Sequence, residues 1–140
     1  MLNTIKYCLD TNVISDFMHG NITVAKKLNA AYTNGNPIFI PTIVYYEIVR
    51  GLKAAGQTRR LKEFLALYKN FPHPFFDRDT YEVIEKAADI YSQLHKDRQI
   101  EDNDVFIAAM ALVNDCTLVT GNVRHFERVD NLKLINWRID

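Results

Sequence analysis

The chain has 140 residues, 48% of them apolar and 24% charged, which is the balance of a soluble globular protein long enough to bury one core. Lysine plus arginine equals aspartate plus glutamate at 17 each, so bulk charge argues neither for nor against a nucleic-acid partner, and any basic surface must be local. Cys8 and Cys116 lie in or beside apolar runs and read as small buried thiols; no apolar run approaches membrane-spanning length, and Asp10 comes too early for a secretion signal. A single domain over residues 1–140, cytoplasmic and without a membrane partner, is expected.

Residues 5–9 form a short apolar run with β-branched and aromatic members, which predicts a buried strand. The run ends at Asp10, followed by the capping residues Thr11 and Asn12. The period then turns helical over 12–18, with Val13, Ile14 and Phe17 on one face. A strand feeding directly into a helix is the first half of a βαβ unit, and its carboxyl end is where such sheets place ligands. A second helix, over 22–32, faces Val24, Leu28 and Ala31 one way and Lys26 and Lys27 outward. The turn-rich stretch 33–37 leads to a brief strand, 38–40. Thr42 caps a third helix running to Leu52, with Gly56 ending its tail.

Thr58 opens a fourth helix with Leu61, Phe64, Leu65 and Tyr68 as its stripe. Phe75–Phe76 is a candidate short strand. Asp79 then caps a long helix to about Arg98, carrying Tyr81, Ile84, Ala88, Tyr91 and Leu94 at helical spacing. A cap-rich turn, 100–104, enters a helix over 105–113 that is apolar almost all round and rich in alanine, so it should lie against the sheet. Residues 117–120 read as a strand, 123–127 as a helical turn and 132–135 as the last strand. Strands alternating with helices predict an α/β fold with a mainly parallel sheet covered on both faces.

Several polar residues exceed what local structure asks of them. Asp10 could cap its helix, but Thr11 and Asn12 could do so equally well. Glu47 sits among Ile43, Val44, Tyr45, Tyr46, Ile48 and Val49, where an unpaired carboxylate is costly to bury. Either Arg50 pairs with it, water takes it, or a site holds it. Asp102 and Asp104 flank the start of the alanine-rich helix, where one acid suits the dipole and two exceed it. Asn122 follows one strand as Asp10 follows another, and its ordinary role would be to cap the next turn. Two carboxylates about 4 Å apart repel by roughly 4 kcal/mol at an effective dielectric near 20. Clustered acids must therefore hold protons or a cation. An oxygen-only set suits Mg2+ or Mn2+ rather than Zn2+, and His19, His73, His95 and His125 show no paired metal spacing.

Four stretches in order, Leu9-Asp10-Thr11-Asn12-Val13-Ile14, Tyr46-Glu47-Ile48-Val49-Arg50-Gly51, Asn103-Asp104-Val105-Phe106-Ile107-Ala108-Ala109 and the run from Leu118 through Gly121-Asn122-Val123-Arg124-His125-Phe126 to Arg128, resemble PIN-domain ribonucleases. More narrowly, they resemble VapC-type toxins of bacterial toxin–antitoxin pairs, down to the closing Leu134-Ile135-Asn136-Trp137. The likeness covers essentially the whole chain. It implies a three-layer α/β sandwich and a divalent-metal-dependent endoribonuclease that hydrolyses RNA phosphodiester bonds, with tRNA among the candidate substrates. It further implies a homodimer and a VapB-like antitoxin whose tail occupies the active-site groove. Asp10, Glu47 and Asp104 match the family's acidic set, and Asn122 stands where the family has Asp or Asn.

The expected mechanism has Mg2+ or Mn2+ held by Asp10 and Asp104, with Glu47 as a further ligand or as a base acting through water. Asn122 is a ligand or a water-positioner. Thr11, Thr120 and Asp102 are auxiliary residues, and Lys53, Arg59, Arg60, Arg124 and Arg128 are candidate phosphate contacts. Two rivals stand beside it. A metal-free RNA- or protein-binding module would not need all three acids. An aspartate-nucleophile phosphatase would need a second acid two residues after Asp10, where Asn12 is an amide.

Overall fold

The computed structural model describes residues 4–71, 80–94, 96 and 100–139. Its elements follow in order as β1 (Tyr7–Leu9), α1 (Thr11–Met18), α2 (Ile22–Thr33), β2 (Ile38–Phe39), α3 (Thr42–Ala54), α4 (Thr58–Tyr68), α5 (Thr80–Gln93), α6 (Asp102–Val113), β3 (Thr117–Val119), α7 (Val123–Phe126) and β4 (Leu134–Ile135). The four strands form one sheet in the order β2-β1-β3-β4, and every pairing is parallel. The expected parallel α/β architecture is present, with β1 in the interior of the sheet. The possible strand over Phe75–Phe76, the Asp79 cap and the helix end at Arg98 lie outside the described residues.

The chain steps from β1 to β2 on one side, then returns across β1 to reach β3 on the other. Right-handed crossovers made in opposite directions put their helices on opposite faces of the sheet. The point where the direction reverses, between the carboxyl ends of β1 and β3, is where open α/β sheets form their ligand crevice. Asp10 follows β1 and Thr120 follows β3, so both emerge at that point.

Strand lengths differ from expectation for a consistent reason. Ile5 is 51% exposed and Lys6 is exposed, so β1 starts only where both faces are covered. β4 is shorter than 132–135, and Ile135 lies on the rim. The helix expected from Val105 begins at Asp102, which places both Asp102 and Asp104 in its first turn. Pro41, not Thr42, stands at the N-cap of α3, with no side-chain cap bond. A proline there forgoes only an N–H that the helix start would leave unpaired.

The core is continuous from β1 and β3 to α6, whose Ile107, Ala108, Ala109 and Ala111 are fully buried. The alanines let the helix approach the sheet closely. On α5 the buried positions are Ala87 and Ile90, while Tyr81, Ile84 and Tyr91 of the expected stripe stay exposed. The sequence carries two apolar stripes on that helix, and packing uses the other one. Tyr45, Phe64 and Tyr68 form an aromatic brace between α3 and α4, with centroids 4.6–5.9 Å apart. The brace fixes the helix that carries Glu47. No described helix is long and apolar enough to cross a membrane.

Candidate active site

Asp10 ends β1 at the N-cap of α1 and is only 5% exposed. Its Oδ1 accepts the Thr11 backbone N–H at 2.8 Å, so of the three residues able to cap this helix Asp10 is the one that does. Its Oδ2 accepts the Thr120 hydroxyl at 2.8 Å and the Asn12 amide at 3.1 Å. The same Asn12 side chain accepts the Gly121 N–H at 2.9 Å, and the Thr120 oxygen accepts the Asn122 N–H at 2.9 Å. These bonds stitch the β1–α1 junction to the turn after β3. They also satisfy a buried carboxylate whose neighbours are all neutral donors.

Glu47 is half-buried on α3, and its Oε1 accepts the Thr11 hydroxyl at 2.9 Å. The pairing with Arg50 does not occur; that guanidinium lies over the Tyr46 ring, 5.0 Å from its centre. Thr11 thus donates its N–H to one acid and its hydroxyl to another. Asp104, in the first turn of α6, receives the third contact: its Oδ2 lies 3.0 Å from His125 Nε2. His125 Nδ1 in turn lies 3.0 Å from Arg128 Nη2, and Arg128 Nε donates to the His125 carbonyl at 3.1 Å.

Asp10 and Asp104 both feel the acids around them. Burial pushes Asp10 above the usual carboxylate range; the bonds from Thr120 and Thr11 oppose the rise, and the charges of Asp104 and Glu47 add to it. Burial likewise raises Asp104, against the contact with His125 and with the charge of Glu47. Both effects disfavour the bare ionised cluster, and a cation would reverse them. Asp10 Oδ1 carries one hydrogen bond, and Glu47 Oε2 and Asp104 Oδ1 carry none among the described residues. Each acid therefore keeps acceptor capacity on one oxygen. That donor set fits a hard divalent cation. Among the described residues no three such groups already stand as close as a finished metal nest.

The remaining expected residues divide. Thr11 and Thr120 contact the acids directly. Asn122 is exposed at the N-cap position of α7, but its side chain makes no capping bond, contrary to the ordinary role considered for it. Asp102 is exposed and lines a groove between α5 and α6 with Tyr91 and Phe106. Arg60 shares a pocket of about 180 Å³ with Thr11, Ser15, His19 and Glu47. Arg59 is spent on an exposed pair with Glu63 at 3.3 Å, and Lys53 and Arg124 are exposed.

Sequence reading passed over three site neighbours. Asn12 reads in the sequence as a capping residue, whereas it bridges Asp10 and Gly121. His125 shows no paired metal spacing in the sequence, and nothing local announces its contact with an acid 21 residues upstream. Arg138 forms a two-point pair with Asp16 and lies against Gly121, close enough to sense the charge of Asp10. No local signal marked it.

Acids gathered at the reversal point of a parallel sheet, with no histidine or cysteine ligand pair beside them among the described residues, define a class of α/β protein built around a carboxylate site. Within that class, residues 7–132 match the model of the PIN domain. The chain belongs to the PIN domain family. It is 32% identical over 130 residues to ribonuclease VapC1 of Methanocaldococcus jannaschii, covering 92% of this chain and 85% of that protein. It is 29% identical over 125 residues to ribonuclease VapC19 of Mycobacterium tuberculosis, covering 89% and 95%. The fold matches the crystal structure of VapBC2 from Rickettsia felis bound to a promoter DNA fragment, with TM-score 0.81, 24% identity and coverage of 95% and 99%.

Proposed function

We propose that this chain is a divalent-metal-dependent endoribonuclease, the toxin of a toxin–antitoxin pair, with Asp10, Glu47 and Asp104 as its acidic centre. The observation that carries the reading is the placing of these three acids about the sheet's reversal point, each steadied by a side-chain or backbone partner and each with acceptor capacity left on an oxygen. Relatives over nearly the whole chain are named ribonucleases, and similar solved structures are of toxin–antitoxin complexes. When bound, Mg2+ or Mn2+ would offset the carboxylates' charge, polarise the phosphate and make a water more acidic.

The chain's own residues have distinct tasks. Asp10 and Asp104 hold the cation, each through an oxygen that protein donors leave available. Glu47, less tightly held, is a further ligand or accepts the attacking water's proton. Thr11 and Thr120 orient the acids, Asn122 orients substrate or water, and Arg60 contacts a phosphate near Glu47. Asp102, exposed over the α5–α6 groove, is outside this set. The antitoxin's tail would cover the groove beside Thr11 and Glu47. Self-association would use the exposed Tyr81, Ile84 and Tyr91 of α5. An RNA substrate accords with the cytoplasmic location expected from the sequence.

The test is cleavage of defined RNAs by the purified chain. Chelation should abolish it, and Mg2+ or Mn2+ should restore it. Asp10→Asn should fold yet lose more than about 100-fold in rate, since even outer-sphere changes at metal sites cost about 10–100-fold. Equal cleavage in excess chelator would defeat the reading. Release of phosphate from small esters with RNA left intact would indicate a phosphatase instead.

A further inference from the structure

The bonds that steady the three acids differ in one respect. Asp10 and Glu47 are held by hydroxyl, amide and backbone donors, whereas Asp104 is held by an imidazole whose other nitrogen faces a guanidinium. An arginine side chain has five donors and no acceptor. At 3.0 Å from Arg128 Nη2, His125 Nδ1 must therefore supply the lone pair and carries no hydrogen. The ring hydrogen then resides on Nε2, 3.0 Å from Asp104 Oδ2, and is donated to it. Arg128 also grips the backbone carbonyl of His125 through Nε at 3.1 Å. The ring is thus fixed in both tautomer and orientation by one residue. The buried Phe126 ring, edge-on to the imidazole at 5.5 Å, closes another side.

We propose that His125 and Arg128 are a positioning pair for Asp104: Arg128 sets the Nε2–H tautomer of His125, and that N–H holds Asp104 Oδ2 so that Oδ1 is presented to a divalent cation. The proposal rests on the reading of Asp104 as a metal ligand. It assigns Arg128 to the acid centre through His125 rather than to the RNA backbone. Neighbouring donors that fix a ligating side chain usually matter to metal affinity by about 10–100-fold.

The experiment measures Mn2+ affinity of the full chain without RNA, by calorimetry or electron paramagnetic resonance. Asp104→Asn is the control for the underlying reading and should weaken Mn2+ binding more than any other variant in the set. His125→Leu removes the donor at similar size and should weaken it by about 10–100-fold. His125→Gln, whose amide N–H can replace Nε2–H, should recover most of that loss. Arg128→Met should weaken binding in the wild-type background but add nothing to His125→Gln, because an amide needs no tautomer set for it. Excess Mn2+ should restore RNA cleavage by His125→Leu. If Asp104→Asn leaves Mn2+ affinity unchanged, the ligand reading fails. If Asp104→Asn abolishes binding while His125→Leu and Arg128→Met leave it intact, or if Arg128→Met is equally harmful beside His125→Gln, the positioning pair is refuted. Should His125→Leu not fold, the Arg128→Met comparison in the two backgrounds decides alone.

Discussion

Thr120→Val isolates the support given to Asp10. Thr120 is fully buried, and its hydroxyl donates to Asp10 Oδ2 at 2.8 Å while accepting the Asn122 N–H. Valine has nearly the same shape, so the change leaves little cavity and removes only the polar contacts. A hydrogen bond to a charged group contributes about 1.5–3 kcal/mol. The Asn122 N–H can turn to water, because that residue is exposed. At about 2.1 cal/mol/K per residue, a chain of this length unfolds with roughly 0.3 kcal/mol/K, so the expected loss at neutral pH is about 5–10 °C in melting temperature.

The pH dependence gives the decisive signature. Asp10 titrates above the usual carboxylate range in the folded protein, and the Thr120 bond acts to lower it. A raised folded value means that its contribution to stability is present at low pH and is lost as pH rises through the folded value. Removing the hydroxyl raises that value further, so more stability is lost. The deficit of Thr120→Val against wild type should be small in acid and widen as pH rises through and above the carboxylate range. In an Asp10→Asn background it should not vary with pH. Melting curves in chelator across the acid-to-neutral range measure this. A deficit that stays constant or narrows with rising pH, or that widens equally without the Asp10 carboxylate, would refute the reasoning.

Two further changes separate real contacts from apparent ones. At Gly121 an added Cβ would lie 2.5 Å from Arg138 Nη1 and 2.6 Å from Cζ, but the obstacle is the far end of a flexible side chain. Gly121→Ala should therefore displace the Arg138–Asp16 pair at a cost below about 1 kcal/mol, as for other partly exposed ion pairs, and a melting curve shifted by far more would show the turn itself to be constrained. Arg60→Ala should raise KM for RNA with little change in kcat and reduce the salt dependence of binding by about one counterion, whereas Arg59→Ala, already paired and exposed, should alter neither.

The sheet was legible because its signals are local and reinforce one another: short β-branched runs, each followed by a capping residue. What failed was decided by packing across the chain. On α5, apolar residues occur on two stripes, and a single helix gives no reason to prefer Ala87 and Ile90 over Tyr81 and Ile84; only the apposition of α6 decides. The acids Asp10, Glu47 and Asp104 stood out because a carboxylate in an apolar setting is visible without a structure. Thr11 and Thr120 were expected beside them as auxiliaries, but which acid each would hold, and the part played by His125, 21 positions from Asp104, depends on contacts made across the chain. Asn12 shows the same limit at short range. Its capping propensity was readable, but its bond to Gly121 exists only because β1 and β3 are neighbours.

The treatment of acids in this fold argues for what the site ones do. Asp16 is closed by both oxygens onto Arg138, as a structural acid is expected to be. Among the described residues, no lysine or arginine forms an ion pair with Asp10, Glu47 or Asp104. Their donors are hydroxyls, amides, a backbone N–H and an imidazole whose other nitrogen faces Arg128. Such donors fix the positions of carboxylates without a lysine or arginine charge to cancel theirs. Burial and mutual repulsion then make the uncompensated charge costly. A fold that had only to be stable would do better with apolar groups or closed pairs at these positions. One that must bind a divalent cation needs three carboxylates held in place and still charged.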